Sequence, residues 1–243
     1  MPVYRLDLSY DGTGFNGYAR QEGQPTVQGR LEEALAVVIG GPVVTSVAGR
    51  TDTGVHARGQ VVSFLSPATL DTEGVARSLR GILAPEVVVS SVTEEADDFD
   101  ARFSAVWRRY RYLIDPSPAP DPLLRHQVWH VGRPLDVDAM ADVAVAFIGE
   151  HDFSSFCRAH EGRANVRRVF AAEWRHESGL LVFWIRASAF CHQMVRSLVG
   201  YCFDVGRGFS DPGAVSRVIE ARDRSAVATV APPHGLTLWE VGY

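Results

Sequence analysis

The chain has 243 residues, 46% of them hydrophobic, enough to bury a sizeable core in one large domain or two small ones. No apolar run approaches the ~20 residues that span a bilayer, so no membrane partner is expected. The N-terminus opens on a strand pattern rather than a signal peptide, and three cysteines without CxxC spacing make a reducing cytoplasm the best fit.

The first half reads as strand, helix, strand, strand, helix, strand. Residues 3–9 alternate as a strand. Thr26 caps a helix with Val27, Leu31, Leu35 and Val38 on one face, ending at Gly40-Gly41. Strands follow over 43–47 and 60–65, then a helix over 70–82 and a strand over 86–92. The acidic run 94–100 is a solvated connection. The second half repeats the order loosely, with a strand over 107–114 and a proline-rich loop at Pro116, Pro118, Pro120 and Pro122. A helix follows over 136–148, then a hairpin of 166–175 and 180–187 around Ser178-Gly179. Next comes a helix from about Cys191, with Val195, Leu198, Val199, Cys202 and Phe203 on one face. A short helix over 211–221 precedes a last strand over 236–241. Two tandem βαββαβ units, ferredoxin-like halves over 1–105 and 106–243, predict an α+β protein with an extended, mostly antiparallel sheet.

The net charge is −5, but its distribution is uneven. All 24 basic residues are arginine. Residues 1–105 carry 8 Arg against 14 acids, a net of −6, and residues 106–243 carry 16 Arg against 15 acids, a net of +1. Arg102, Arg108, Arg109 and Arg111 fall in a stretch without acids. Arg158, Arg163, Arg167 and Arg168 form a second cluster, offset by Glu161. A local basic cleft binds a polyanion whatever the net charge, so nucleic acid is not excluded.

Three common motifs fail on context. Gly12-Thr-Gly14-Phe-Asn-Gly17 fits a dinucleotide fingerprint, but the helix is delayed to Thr26 and the next strand ends without an acid. His126 and His130 have zinc-helix spacing, but no Glu lies between them and Pro122 and Pro134 flank them. No other histidines have ligand spacing, and no metal is expected. The acids at 94–100 offer a glycosidase pair only weakly, since such clusters are ordinarily solvated.

One loop stands apart: Gly49-Arg50-Thr51-Asp52-Thr53-Gly54-Val55-His56-Ala57, just ahead of an apolar strand. Alone, its aspartate reads as a turn residue bonding nearby N–H groups. Three other segments change that reading. They are Asp11-Gly-Thr-Gly-Phe15-Asn-Gly17-Tyr18-Ala-Arg20-Gln21, Phe99-Asp-Ala-Arg102-Phe-Ser-Ala-Val-Trp-Arg108-Arg109-Tyr110-Arg111-Tyr112, and Ala189-Phe190-Cys191-His192-Gln193-Met194-Val195-Arg196-Ser197-Leu198-Val199-Gly200. In this order, and over nearly the whole length, the chain resembles the TruA family of tRNA pseudouridine synthases.

The resemblance implies an isomerase that converts uridine to pseudouridine at positions 38, 39 and 40 of the tRNA anticodon stem-loop. It implies a homodimer without metal or cofactor, and the pseudouridine synthase fold. It makes Asp52 the catalytic aspartate, Tyr110 the tyrosine that stacks on the target uracil, and Arg196 the arginine that pairs with the aspartate. Arg50 matches the basic residue beside the flipped nucleotide, and Arg20, Arg58 and Arg109 join it as substrate-binding arginines. Taken singly, Tyr110 reads as a cross-strand aromatic and Arg196 as a surface residue of a helix. Tyr18, Thr53, Arg80 and Val230 depart from the family's usual residues, but none is one of these. The rival classes are a non-catalytic RNA-binding protein built on ferredoxin-like sheets, which needs no buried carboxylate, and a nucleosidase, which releases free base.

Overall fold

The structure is a computed structural model that describes residues 1–158 and 164–243. Arg163 and Glu161 of the second arginine cluster lie outside the described residues. In chain order the elements are β1 (Val3–Tyr10), α1 (Val27–Ile39), β2 (Thr45–Val47), β3 (His56–Leu65), α2 (Thr72–Leu83), β4 (Val87–Glu95) and β5 (Trp107–Asp115). They continue with β6 (Trp129–His130), α3 (Val137–Ala146), β7 (Gly149–Asp152), β8 (Val166–Glu177), β9 (Leu180–Ala187), α4 (Met194–Gly206), α5 (Val215–Ala221) and β10 (Leu236–Gly242). The class is α+β with mostly antiparallel pairing, as the order of elements predicts. The chain divides into two compact units, Met1–Val106 with Thr237–Tyr243, and Trp107–Leu236.

In the first unit the strands run in the order β4-β1-β3-β10, with β2 on β3. Strict alternation along β1 turns Tyr4, Leu6, Leu8 and Tyr10 inward, each 5% exposed or less. Thr26 caps α1 by accepting the Gly29 N–H, and Gly40, at φ 82°, ends it in the left-handed region. Val27, Leu31 and Leu35 are the buried stripe that the spacing predicts. Strand β3 begins four residues earlier than predicted. Its first residues lie in register with β1 (Tyr10 opposite Ala57) and in a parallel ladder with β10 (Thr237 opposite His56), partners that no local pattern reveals. The last strand, read from the sequence with the second half, therefore clusters with the first unit.

In the second unit the order is β5-β9-β8-β7, antiparallel throughout, with β6 parallel to β5. The hairpin turns at Ser178 and Gly179, with φ values of 52° and 82°, the mirror-image turn that suits strand twist. Asp136 caps α3 by accepting from the Ala139 N–H at 3.0 Å. Helix α4 starts at Met194 rather than near Cys191, because Gln193 holds φ 63° and so cannot belong to a right-handed helix. His130 lies on β6 with Nε2 2.8 Å from the Ser117 carbonyl, and His126 accepts from Arg125 Nε, so neither sits on a zinc helix. Among the described residues no group of three or more His, Cys, Asp or Glu is placed to hold a metal, and no helix is long and apolar enough to cross a membrane. Cys157 and Cys191 are bonded to one another across 5.8 Å between their Cα atoms, a pairing that an odd cysteine count gives no means of seeing. Cys202 is buried, and burial pushes its thiol up to about 12.

Candidate active site

The sequence-derived candidates divide between the two units. In the first, Asp52 sits in the loop between β2 and β3, half-buried, with its own carbonyl accepting from the Val55 N–H at 3.1 Å. The loop is held by the preceding glycine segment. Tyr18 N–H donates to the Thr51 carbonyl at 3.0 Å. A side chain on Gly12 would stand 2.6 Å from the Val55 carbonyl carbon. One on Gly17, which already needs φ +87°, would stand 3.1 Å from the Thr51 oxygen. Backbone lies against backbone here, which explains why two of the glycines that mimic a dinucleotide motif are present. Gly12 N–H also donates to His56 Nδ1 at 3.0 Å, tying the far end of the loop. Below it, Tyr10, Thr51 and Gln60 are buried and hydrogen-bonded to one another.

The predicted substrate arginines of this unit differ in their engagement. Arg50 is exposed next to Asp52. Arg58 is exposed on β3 with its guanidinium 4.4 Å from the centre of the Trp239 ring. Arg20 pairs with Glu32 at 3.2 Å and Glu33 at 3.7 Å. Glu32 is itself buried and accepts from Thr45 N–H, Thr45 Oγ1 and Gln28 Nε2, so Arg20 completes an internal network.

In the second unit Tyr110 lies on β5 opposite Ile185, 7% exposed, with Phe190 edge-on at 5.0 Å between ring centres. Alternation along β5 turns Arg108, Tyr110 and Tyr112 to one face, and Trp107, Arg109 and Arg111 to the other. Arg109 therefore does not share a face with Tyr110; its guanidinium lies 4.2 Å from the Trp184 ring centre. Arg108, on the Tyr110 face, donates to the Ser188 carbonyl at 3.0 Å.

Arg196 stands in the first turn of α4, where Nε donates to the Ala231 carbonyl at 2.8 Å while Ala231 N–H returns a bond to the Arg196 carbonyl at 3.0 Å. The guanidinium is thereby fixed on a strap of residues 229–232. Tyr112 donates to the next carbonyl along it, Pro232, at 2.8 Å. Burial holds the Tyr112 phenol well above its ordinary range, with the Arg196 charge pulling the other way. The unit thus holds a buried tyrosine, Tyr110, on β5 and a fixed cation, Arg196, on α4.

Comparison with known proteins identifies the family. A family described as tRNA pseudouridine synthase matches residues 143–243. Over 99% of its length the chain is 45% identical to tRNA pseudouridine synthase A of Leifsonia xyli, covering 91% of that protein. The chain belongs to the tRNA pseudouridine synthase A family. The corresponding protein of Frankia casuarinae is 48% identical over 98% of this chain and 88% of its own. That of Bacillus subtilis is 42% identical over 98% of both. A chain of a solved Cbf5–Nop10–Gar1 complex aligns with 82% of this chain and 53% of its own length, at TM-score 0.34 and 11% identity. Membership makes the protein an isomerase of the pseudouridine synthase type.

The positions of Tyr10, Gln60 and His56 under the aspartate loop were missed as functional candidates. Their only sequence signal is polar or hydroxyl-bearing character at inward strand positions, which alternation alone reads as ordinary core.

Proposed function

We propose that the protein isomerises uridines 38, 39 and 40 of the tRNA anticodon stem-loop, acting as a cytoplasmic homodimer without metal or cofactor. The N1–C1′ bond of the target uridine breaks, the uracil turns in place, C5 bonds to C1′, and the C5 proton is lost as N1 gains one. The leaving group is retained and reused, so it needs little of the protonation that a glycosidase supplies with a second carboxylate. One ionised carboxylate, Asp52, suffices as nucleophile or as stabiliser of positive character at C1′. Arg196 is the permanently charged partner that keeps it ionised and oriented. Tyr110 offers its face to the loosened uracil, gripping the base without fixing its in-plane rotation, and its hydroxyl assists removal of the C5 proton. Arg50 lies beside the extruded nucleotide, Arg20, Arg58 and Arg109 are further substrate-binding arginines, and arginine–phosphate contacts offset the few kcal/mol of unstacking.

The observation that supports this reading best is the loop itself: a half-exposed carboxylate on a segment locked by Gly12, Gly17 and Tyr18. A surface turn needs no such clamp. A reacting group does, because small misplacements of a reactive atom lose large factors in rate. The test is tritium release from tRNA carrying [5-³H]uridine, with wild type and Asp52→Asn compared and no metal added. Release by wild type and none by Asp52→Asn, with tRNA binding retained, is the expected result. Release by Asp52→Asn at the wild-type rate refutes the assignment, and free uracil among the products makes the enzyme a nucleosidase.

A further inference from the structure

Beneath the Asp52 loop lies a polar cluster that the reaction just described does not use. Tyr10 is 5% exposed, Gln60 0% and Thr51 7%. Gln60 Nε2 donates to the Gly49 carbonyl at 2.7 Å and to the Tyr10 hydroxyl at 3.2 Å, while its Oε1 accepts from the Val61 N–H at 3.3 Å. The bond to the Gly49 carbonyl and the bond from the Val61 N–H settle which end of the amide faces the loop. A phenol that accepts from the amide has one proton of its own to give, and Thr51 Oγ1 lies 2.8 Å away. The hydrogen bonds thus link Gln60, Tyr10 and Thr51 in one chain.

This cluster grips the loop at Gly49 and Thr51, the residues on either side of Arg50, and Thr51 is peptide-bonded to Asp52. Tyr18 N–H holds the Thr51 carbonyl from the other side. Three buried polar side chains, two on strands and one on the loop, have little to recommend them for stability alone, since a phenylalanine, a valine and a leucine would fill the same space without desolvating polar groups. What they supply is direction: each bond fixes a rotation that apolar packing leaves loose. Burial pushes the Tyr10 phenol up to about 12, so it remains a donor throughout the range in which tRNA is intact.

We infer that Tyr10 and Gln60 are positioning residues that aim the Asp52 carboxylate through Thr51 and Gly49. The inference rests on the reading of Asp52 as the reacting carboxylate. Tyr10→Phe keeps the ring and removes one hydroxyl; Thr51→Val keeps the volume and removes the hydroxyl that Tyr10 bonds. Each is expected to lower the single-turnover rate of pseudouridine formation about tenfold to a hundredfold, with the Kd for tRNA within about twofold of wild type. Combined, they are expected to do no more harm than Tyr10→Phe alone, because that variant already removes the bond that Thr51→Val removes. Thr51→Ser, which restores the hydroxyl, recovers most of the rate. A Tyr10→Phe enzyme with the wild-type rate overturns the inference. So does a rate that falls only in proportion to the folded fraction measured by circular dichroism, since that is the mark of a purely structural tyrosine. Asp52→Asn is measured in the same series. If it turns over normally, the reading of Asp52 fails; if it is inactive while Tyr10→Phe is normal, the positioning role alone fails.

Discussion

The reciprocal bonds between Arg196 and Ala231 depend on the close approach of residues 229–231 to α4, and Gly200 is where that approach is tightest. Exchanging a glycine inside a helix for alanine ordinarily stabilises by about 1 kcal/mol. At Gly200 the added Cβ would stand 2.7 Å from the Thr229 carbonyl carbon and closer still to its oxygen, with the Ala231 nitrogen at 3.3 Å. Backbone atoms cannot turn aside by changing rotamer, so the overpacking penalty falls at its upper end, about 3 kcal/mol. The overlap wins, and Gly200→Ala is expected to destabilise by about 2 kcal/mol. For a chain of this length that lowers the unfolding midpoint by about 4–8 °C. Gly81, exposed in the last turn of α2, has nothing within 4 Å of its would-be Cβ. Gly81→Ala is therefore expected to raise the midpoint by about 1–4 °C, as propensity alone dictates. Scanning calorimetry on both variants decides the matter. If Gly200→Ala stabilises as Gly81→Ala does, the strap does not lie against α4 as described, and the account of how Arg196 is held falls with it.

The other expectations concern charge and pH. Arg196→Lys keeps a cation but loses the planar fork that donates through Nε to Ala231. It is expected to lower the single-turnover rate about 10²-fold while leaving tRNA affinity nearly intact, and near-normal turnover would dismiss the fixed-cation role. Alkaline stability follows from Tyr10, whose phenol rises from 10.0 to about 12 through burial. Above pH 10 the unfolded chain gives up this proton while the folded chain keeps it, so the unfolded state binds fewer protons and stability falls with rising pH between about 10 and 12. Burial also raises Tyr18 and Tyr112, and their contribution has the same sign. Ultraviolet difference spectra are expected to show these phenols silent until the protein unfolds. Their titration in the folded protein near pH 10 would contradict the burial.

Much of the fold was legible because its signals are local. Thr26, Gly40 and the Val27, Leu31, Leu35 stripe placed α1, and Ser178-Gly179 placed the hairpin. What escaped was non-local. The parallel partnership of β10 with β3 joins residues some 180 positions apart; with the β1 register it explains the early start of β3, and it accounts for the affiliation of the last strand. The late start of α4 rests on one left-handed residue, Gln193, a conformation that glutamine does not advertise. Among the site candidates, segment matching picked out Asp52, Tyr110 and Arg196 as individual residues. It did not reveal that Arg109 and Tyr110, neighbours in sequence, face opposite sides of β5, although alternation along a strand contains that information. Nor did it reveal that Arg20 is tied to Glu32, because the carboxylate's burial depends on Thr45 and Gln28 arriving from elsewhere.

The two units hold their candidate groups by one shared device. Around Asp52, Gly12 and Gly17 let backbone rest on backbone; beside Arg196, Gly200 does the same for residues 229–231. In each case the candidate side chain emerges from a main chain pinned by hydrogen bonds, Tyr18 N–H to the Thr51 carbonyl in one and Ala231 N–H to the Arg196 carbonyl in the other. Main-chain contacts have few alternative arrangements, whereas side-chain packing can relax around a shifted loop. On the proposed reading, a reaction that detaches a base, turns it and rejoins it at the same sugar carbon uses a carboxylate and a cation that do not follow the moving group. Glycine-mediated backbone contact supplies that stillness. On that reading, removing hydrogen-bonding atoms near these contacts is expected to change the rate more than the affinity: the proposed RNA contacts are spread over several arginines, while the position of each candidate group rests on two or three bonds.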